Sequence, residues 1–120
     1  MIKRCTLLLL LLVASLGASP VSGQTFVRGD VESNGPGLGG IDIPDVILML
    51  AHLFIVGETW EPMCRDAADA NDDGAFDVSD PVYLLAFLFA GGPEPLPPYP
   101  DCGTDATSDG LGCESHYACP

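Results

Sequence analysis

Apolar residues recur at helical spacing in two stretches of this chain. Ile47, Leu50, Ala51 and Phe54 fall at i, i+3, i+4 and i+7, and Val82, Leu85, Ala86 and Phe89 repeat that spacing further on. A period of this kind lines up one side of an α-helix, so the pattern predicts two helices packed on each other through these two sets. The opposite sides are apolar too, with Leu48, His52 and Ile55 matching Tyr83, Phe87 and Ala90. A surface helix in a small domain is polar there, so these side chains need a cover. Two covers are available. The proline-rich, extended segment 91–100 can fold back over them, or a partner protein binds there, with Leu48, His52, Ile55, Tyr83 and Phe87 as its contact face.

The two helices belong to an internal repeat. A shift of 35 residues lays Asp42 on Asp77, Asp45 on Asp80, Leu50 on Leu85, Leu53 on Leu88 and Gly57 on Gly92. One copy alone cannot bury its helix, so the two copies must pair. The predicted fold class is all-α.

Ahead of the second helix, the run 69–80 places Asp69, Asn71, Asp73, Asp77 and Asp80 at loop positions 1, 3, 5, 9 and 12. Gly74 stands at position 6, where the chain turns sharply, and Ala75 at position 7 need offer only its carbonyl. This is the ligand order of an EF-hand loop, which gathers the six to eight oxygens that Ca2+ requires. The less specific alternative is an Asx-rich turn ahead of a helix. Position 12 carries Asp rather than the usual Glu, and the shorter arm requires the following helix to start closer to the ion.

The first loop has the same ends but a different middle. Asp30, Glu32, Asn34 and Gly35 fit positions 1, 3, 5 and 6, while Asp42 and Asp45 fit positions 9 and 12 once a four-residue insertion within 36–40 is allowed. Ordering that glycine-rich insertion costs entropy, so this second, degraded Ca2+ site is expected to be the weaker of the two.

The opening Val27-Arg28-Gly29-Asp30-Val31-Glu32-Ser33-Asn34-Gly35, the strict loop 69–80, aspartate at position 12, and loop-plus-helix units lacking an entering helix resemble the dockerin domain. The resemblance covers 26–92. It implies two antiparallel calcium-loop-plus-helix (F-hand) repeats that dock onto cohesin-like modules in extracellular assemblies for polysaccharide degradation. At loop positions 10 and 11, where dockerins commonly meet cohesin with polar residues, this chain has Ile43-Pro44 and Val78-Ser79. A calcium-stabilised structural module with no cohesin-like partner is the alternative.

The first 23 residues join Lys3 and Arg4 to an apolar core from Leu7 to Val13 and small residues at Val21-Ser22-Gly23, the layout of a signal peptide. Export is therefore expected, to the extracellular space, cell surface or periplasm, with no membrane anchor after cleavage. Cleavage leaves Arg28 and Arg65 against all seventeen acidic residues. Such a chain has no electrostatic attraction to nucleic acid or anionic membrane, and bound divalent cations relieve its self-repulsion.

The segment 93–120 reads as an irregular tail. In an oxidising compartment Cys64, Cys102, Cys113 and Cys119 are expected to form disulfides, and of the three pairings Cys102–Cys113 with Cys64–Cys119 is weakly preferred. The Cys113-x-x-His116-x-x-Cys119 spacing also suits zinc, a reading that export disfavours. His52 has no nucleophile near it in sequence and reads as a packed or interfacial histidine. Asp72 and Asp73 sit among calcium ligands with no substrate pocket implied, so no catalytic function is expected.

Overall fold

The computed structural model describes residues 23–33, 40–55, 57 and 59–119. Outside them lie the expected signal peptide apart from Gly23, Asn34, and most of the first-loop insertion. Helix α1 spans Ile43–Phe54, α2 is the single turn Arg65–Ala68, and α3 spans Ser79–Phe89. Isolated antiparallel bridges pair Phe26 with Gly103 and Cys64 with Cys113.

Local chemistry sets the ends of both long helices. Pro44 stands in the first turn of α1, where no intrahelical N–H is needed. The Asp45 carboxylate accepts the free amide of Asp42 at 2.9 Å, next to the positive end of the helix dipole. At the end of α3, Ala90 N–H and Gly92 N–H both reach Ala86 O at 2.9 Å. Gly91 takes φ +66° between them, and Pro93 cannot continue the helix.

Helices α1 and α3 pack on each other, but not through the predicted sets. The buried cluster is Val46, Met49 and Leu84 with Val31, Ala68 and Ala70. Ile47, Phe54, Val82 and Phe89 are instead 56–67% exposed. The cause lies at the first turns. Asp45 and Asp80 are both fully buried in their loops, and residues four apart share a helix face, so Met49 and Leu84 are carried inward with them. Each helix is thereby turned by about one residue, roughly 100°, from the expected seam. Burial of Met49 and of Leu84 contributes about 1.5–3 kcal/mol each. The chain also approaches closely at Gly29, where φ is +91° and an added Cβ would lie 2.7 Å from Ile41 and 3.1 Å from Leu84.

The partner face read from the sequence is largely taken by the chain itself. Tyr83 donates its hydroxyl to Glu94 O at 2.9 Å, and Phe87 meets Tyr99 edge-to-face at 5.8 Å, so the proline-rich segment lies on α3. On α1, the His52 ring stacks on Phe76 at 5.5 Å, and its Nδ1 donates to Trp60 O at 2.8 Å. Leu48, His52, Tyr83 and Phe87 are half-buried, and of the expected set Ile55 is exposed. On α3 the tail, and on α1 Trp60 and Phe76, cover most of what a partner was expected to cover.

The four cysteines among the described residues bond as Cys64–Cys113 and Cys102–Cys119, in place of the preferred pairing. The tail runs back past α2, where Gly112 O accepts Arg65 N at 2.8 Å and Met63 O accepts Glu114 N at 2.8 Å. That register puts Cys113 beside Cys64 and leaves Cys119 to Cys102. With both sulfurs bonded, the Cys113–His116–Cys119 set cannot hold zinc. Among the described residues no helix is long and apolar enough to cross a membrane.

Candidate metal centres

In the second loop, carboxylate oxygens of Asp69, Asp73 and Asp80 lie within 4.8 Å of one another. The backbone folds around them through side-chain acceptors. Asp69 takes the amides of Asp73 at 3.1 Å and Gly74 at 2.8 Å, and Gly74 turns the chain with φ +84°. Asn71 Oδ1 accepts Asp73 N at 3.1 Å while its Nδ2 donates to Ser79 Oγ at 2.9 Å. The exposed Asp77 takes Ser79 N at 2.8 Å and Ser79 Oγ at 2.6 Å, which holds its carboxyl below the usual range. Position 9 of such loops often reaches its ion through water, which suits an outward Asp77. Ala75 is exposed, and its amide donates to Asp73 Oδ1 at 3.0 Å.

Arg28 pairs with Asp72 of the second loop, but among the described residues no basic side chain forms an ion pair with Asp69 or Asp80. Asp69 and Asp80 are 0% exposed. Burial pushes the Asp80 carboxyl up to about 7, with the charges of Asp69 and Asp73 adding to it, and burial raises Asp69 as well. Negative charge removed from water is costly unless paired. The donors present are all oxygens, which fits a hard cation such as Ca2+.

The first loop repeats the closure of the second. Asp80 accepts Asn71 N at 3.4 Å and Asp77 N at 2.8 Å. Asp45 accepts Val31 N at 2.8 Å, Glu32 N at 2.9 Å and Asp42 N at 2.9 Å. In both loops, therefore, the position-12 aspartate ties position 3 to position 9, and the insertion leaves this tie intact. Glu32, Asp42 and Asp45 bring carboxylate oxygens within 4.8 Å of one another. Burial pushes Asp45 up to about 6, and Glu32 Oε2 is buried with no hydrogen-bond partner.

Asp30 stands apart from that group. Its Oδ1 accepts Ser33 N at 2.9 Å, and its carbonyl accepts Nε2–H of the buried His116 at 2.7 Å, with Asp30 Oδ2 3.9 Å from the same nitrogen. Of the five first-loop ligands expected, three converge, Asp30 is engaged by the tail, and Asn34 lies outside the described residues.

Sequence reasoning passed over Arg28, which is fully buried. Its Nη1 donates to Asp69 O at 2.8 Å and Asp66 O at 3.2 Å, and its Nε to Pro97 O at 3.3 Å. Its Nη2 lies 2.9 Å from Asp105 Oδ1 and 3.2 Å from Asp72 Oδ1. The planar fork thus joins the start of the first loop to the second loop and the tail. The signal available in sequence was its isolation: one of four Lys and Arg residues against seventeen acidic ones.

A further acidic group gathers where the tail meets α2. Asp66, Asp105 and Asp109 place carboxylate oxygens within 4.8 Å of one another. Burial, then the charges of Asp105 and Asp109, push Asp66 up to about 6. Compared with known proteins, the chain matches no family model, no curated protein and no solved structure.

Proposed function

We propose that this protein is an exported, calcium-ordered docking module of the dockerin type, built from two loop-plus-helix repeats. The observation that carries the reading is the paired burial of Asp45 and Asp80, each clasping the same two loop positions and, among the described residues, paired with no basic side chain. Calcium supplies the missing charge, with Asp69, Asn71, Asp73, the Ala75 carbonyl, Asp77 and Asp80 as second-loop ligands. Glu32, Asp42 and Asp45 form the weaker first site. Its role is binding rather than catalysis.

Docking is supported by the side of the helices left uncovered. Ile47, Leu50, Ala51, Phe54 and Ile55 line one apolar groove on α1, and Val82, Leu85 and Phe89 are exposed on α3. Patches of this kind mark protein contacts. The partner is a protein with complementary apolar surface, cohesin-like or otherwise. Two disulfides support export to an oxidising compartment.

A second reading, a calcium-stabilised structural module without such a partner, is favoured by the tail's hold on Tyr83 and Phe87. Calorimetric calcium titration of the oxidised chain, with circular dichroism before and after calcium, tests the calcium reading. Helix gained on binding is the expected result. Unchanged affinity in the Asp69→Ala/Asp80→Ala chain would overturn it. Calcium-dependent binding to immobilised cohesin-like modules, lost in a Phe54→Ser/Phe89→Ser chain, separates docking from the structural reading.

A further inference from the structure

We propose that Asp66, Asp105 and Asp109 form a third site for a hard divalent cation, calcium by its donor set, which fastens the C-terminal tail to the second loop. Asp66 is 8% exposed. Its Oδ1 is buried with no hydrogen-bond partner, and so is Asp109 Oδ2. Both residues line one cavity of about 390 Å³, together with Asp105, Thr107 and Gln24. Two unpaired carboxylate oxygens facing one small space are unfavourable unless something positive sits between them.

Arg28 does not meet that need. Its Nη2 serves Asp105 and Asp72, and its Nη1 goes to the main-chain carbonyl of Asp66 rather than to the carboxylate. One guanidinium therefore stands against four carboxylates, and it makes no hydrogen bond to either of the two unpaired oxygens.

The tail sequence supports the same assignment independently. Asp105-Ala106-Thr107-Ser108-Asp109-Gly110 repeats the opening Asp69-Ala70-Asn71-Asp72-Asp73-Gly74, with oxygen-bearing side chains at positions 1, 3 and 5 and glycine at 6. The local bonding repeats in part: Leu111 N donates to Asp109 Oδ1 at 2.8 Å as Ala75 N donates to Asp73 Oδ1 at 3.0 Å. After Leu111 the copies diverge. The tail enters the Cys64–Cys113 bond instead of a helix, and its position 12, His116, carries no carboxylate and is bonded to Asp30 O. Asp66, two residues from Cys64, supplies the carboxylate that a following helix would have brought. With oxygen donors alone, the site selects a hard cation over zinc or copper.

Native mass spectrometry of the full oxidised chain, loaded with calcium alone, counts the ions held. An Asp109→Asn chain and an Asp66→Asn/Asp109→Asn chain are each expected to hold one ion fewer than the unaltered chain. Both disulfides, verified by peptide mapping, report that the variants have folded. Equal ion counts in all three chains would overturn the proposal. The Asp69→Ala/Asp80→Ala chain is expected to keep the tail ion. If that chain loses nothing, the second-loop reading fails while the tail site stands on its own count.

Discussion

The guanidinium of Arg28 donates to the main-chain carbonyl of Asp69 at 2.8 Å, so the residue that opens the second acidic loop is held by a side chain two positions ahead of the first. The second loop is therefore anchored to the segment that leads into the first. Arg28→Ala leaves the half-buried Asp72 and Asp105 carboxylates and three carbonyls without their donor, at an expected cost of about 3–5 kcal/mol. Arg28→Lys restores the charge but not the fork, and recovers only part of that. Urea unfolding in saturating calcium reads the difference, and a change below about 1 kcal/mol for the alanine variant would refute the hub role.

Calcium and protons should compete at the position-12 aspartates. Asp80 and Asp45 have folded pKa values raised to about 7 and about 6 from 3.8, so the calcium-free folded chain binds protons that the unfolded chain has released. Its stability is then highest near pH 4 and falls as pH rises toward 7. Calcium binding below pH 7 must expel a proton, and second-loop affinity should drop about tenfold per pH unit there. Calorimetry in buffers of differing ionisation enthalpy measures the release. Binding at pH 6 with no proton uptake by the buffer contradicts the burial argument.

The rotation of the helices makes opposite predictions for neighbouring residues. Met49→Ala and Leu84→Ala each remove a fully buried side chain and are expected to cost about 2–5 kcal/mol. Phe54→Ser and Phe89→Ser touch side chains 63% and 67% exposed and should stay within about 0.5 kcal/mol. A melt series in which the phenylalanines proved the costly positions would restore the seam read from sequence.

Loop length ranks the disulfides. Cys64–Cys113 spans 49 residues and Cys102–Cys119 spans 17. In the chain-entropy account the first contributes about 4 kcal/mol and the second about 3. Paired cysteine-to-alanine variants, unfolded in urea with calcium present, should lose stability in that order. The reverse order would show that native-state contacts, rather than chain entropy, dominate.

What could be read from sequence was local. The convergence of Asp69, Asp73 and Asp80 follows from spacing within one loop, and the positions of α1 and α3 follow from apolar period. Which side of each helix faces inward did not follow, because both sides are apolar and the period is silent between them. Yet Asp45 and Met49, and Asp80 and Leu84, are four apart, so the ligand register already carried the answer. The disulfide pairing, the role of Arg28 and the grouping of Asp66 with Asp109 depend on where the tail returns, and that path is set by contacts between distant residues.

The bridge between Phe26 and Gly103, made by two hydrogen bonds of 2.9 and 3.0 Å, also decides how the module carries tension. A pull on the chain around Phe26, opposed by one at Cys119, passes from Cys119 through its disulfide to Cys102, into Gly103 and across the bridge. The second loop and α3 lie off that path, whereas His116 and Ala118 also tie the pulled end to Asp30 and Ser33 of the first loop. Under load the second loop and α3 would keep their shape until the bridge shears, so a tether built from this module would slacken at its strap first.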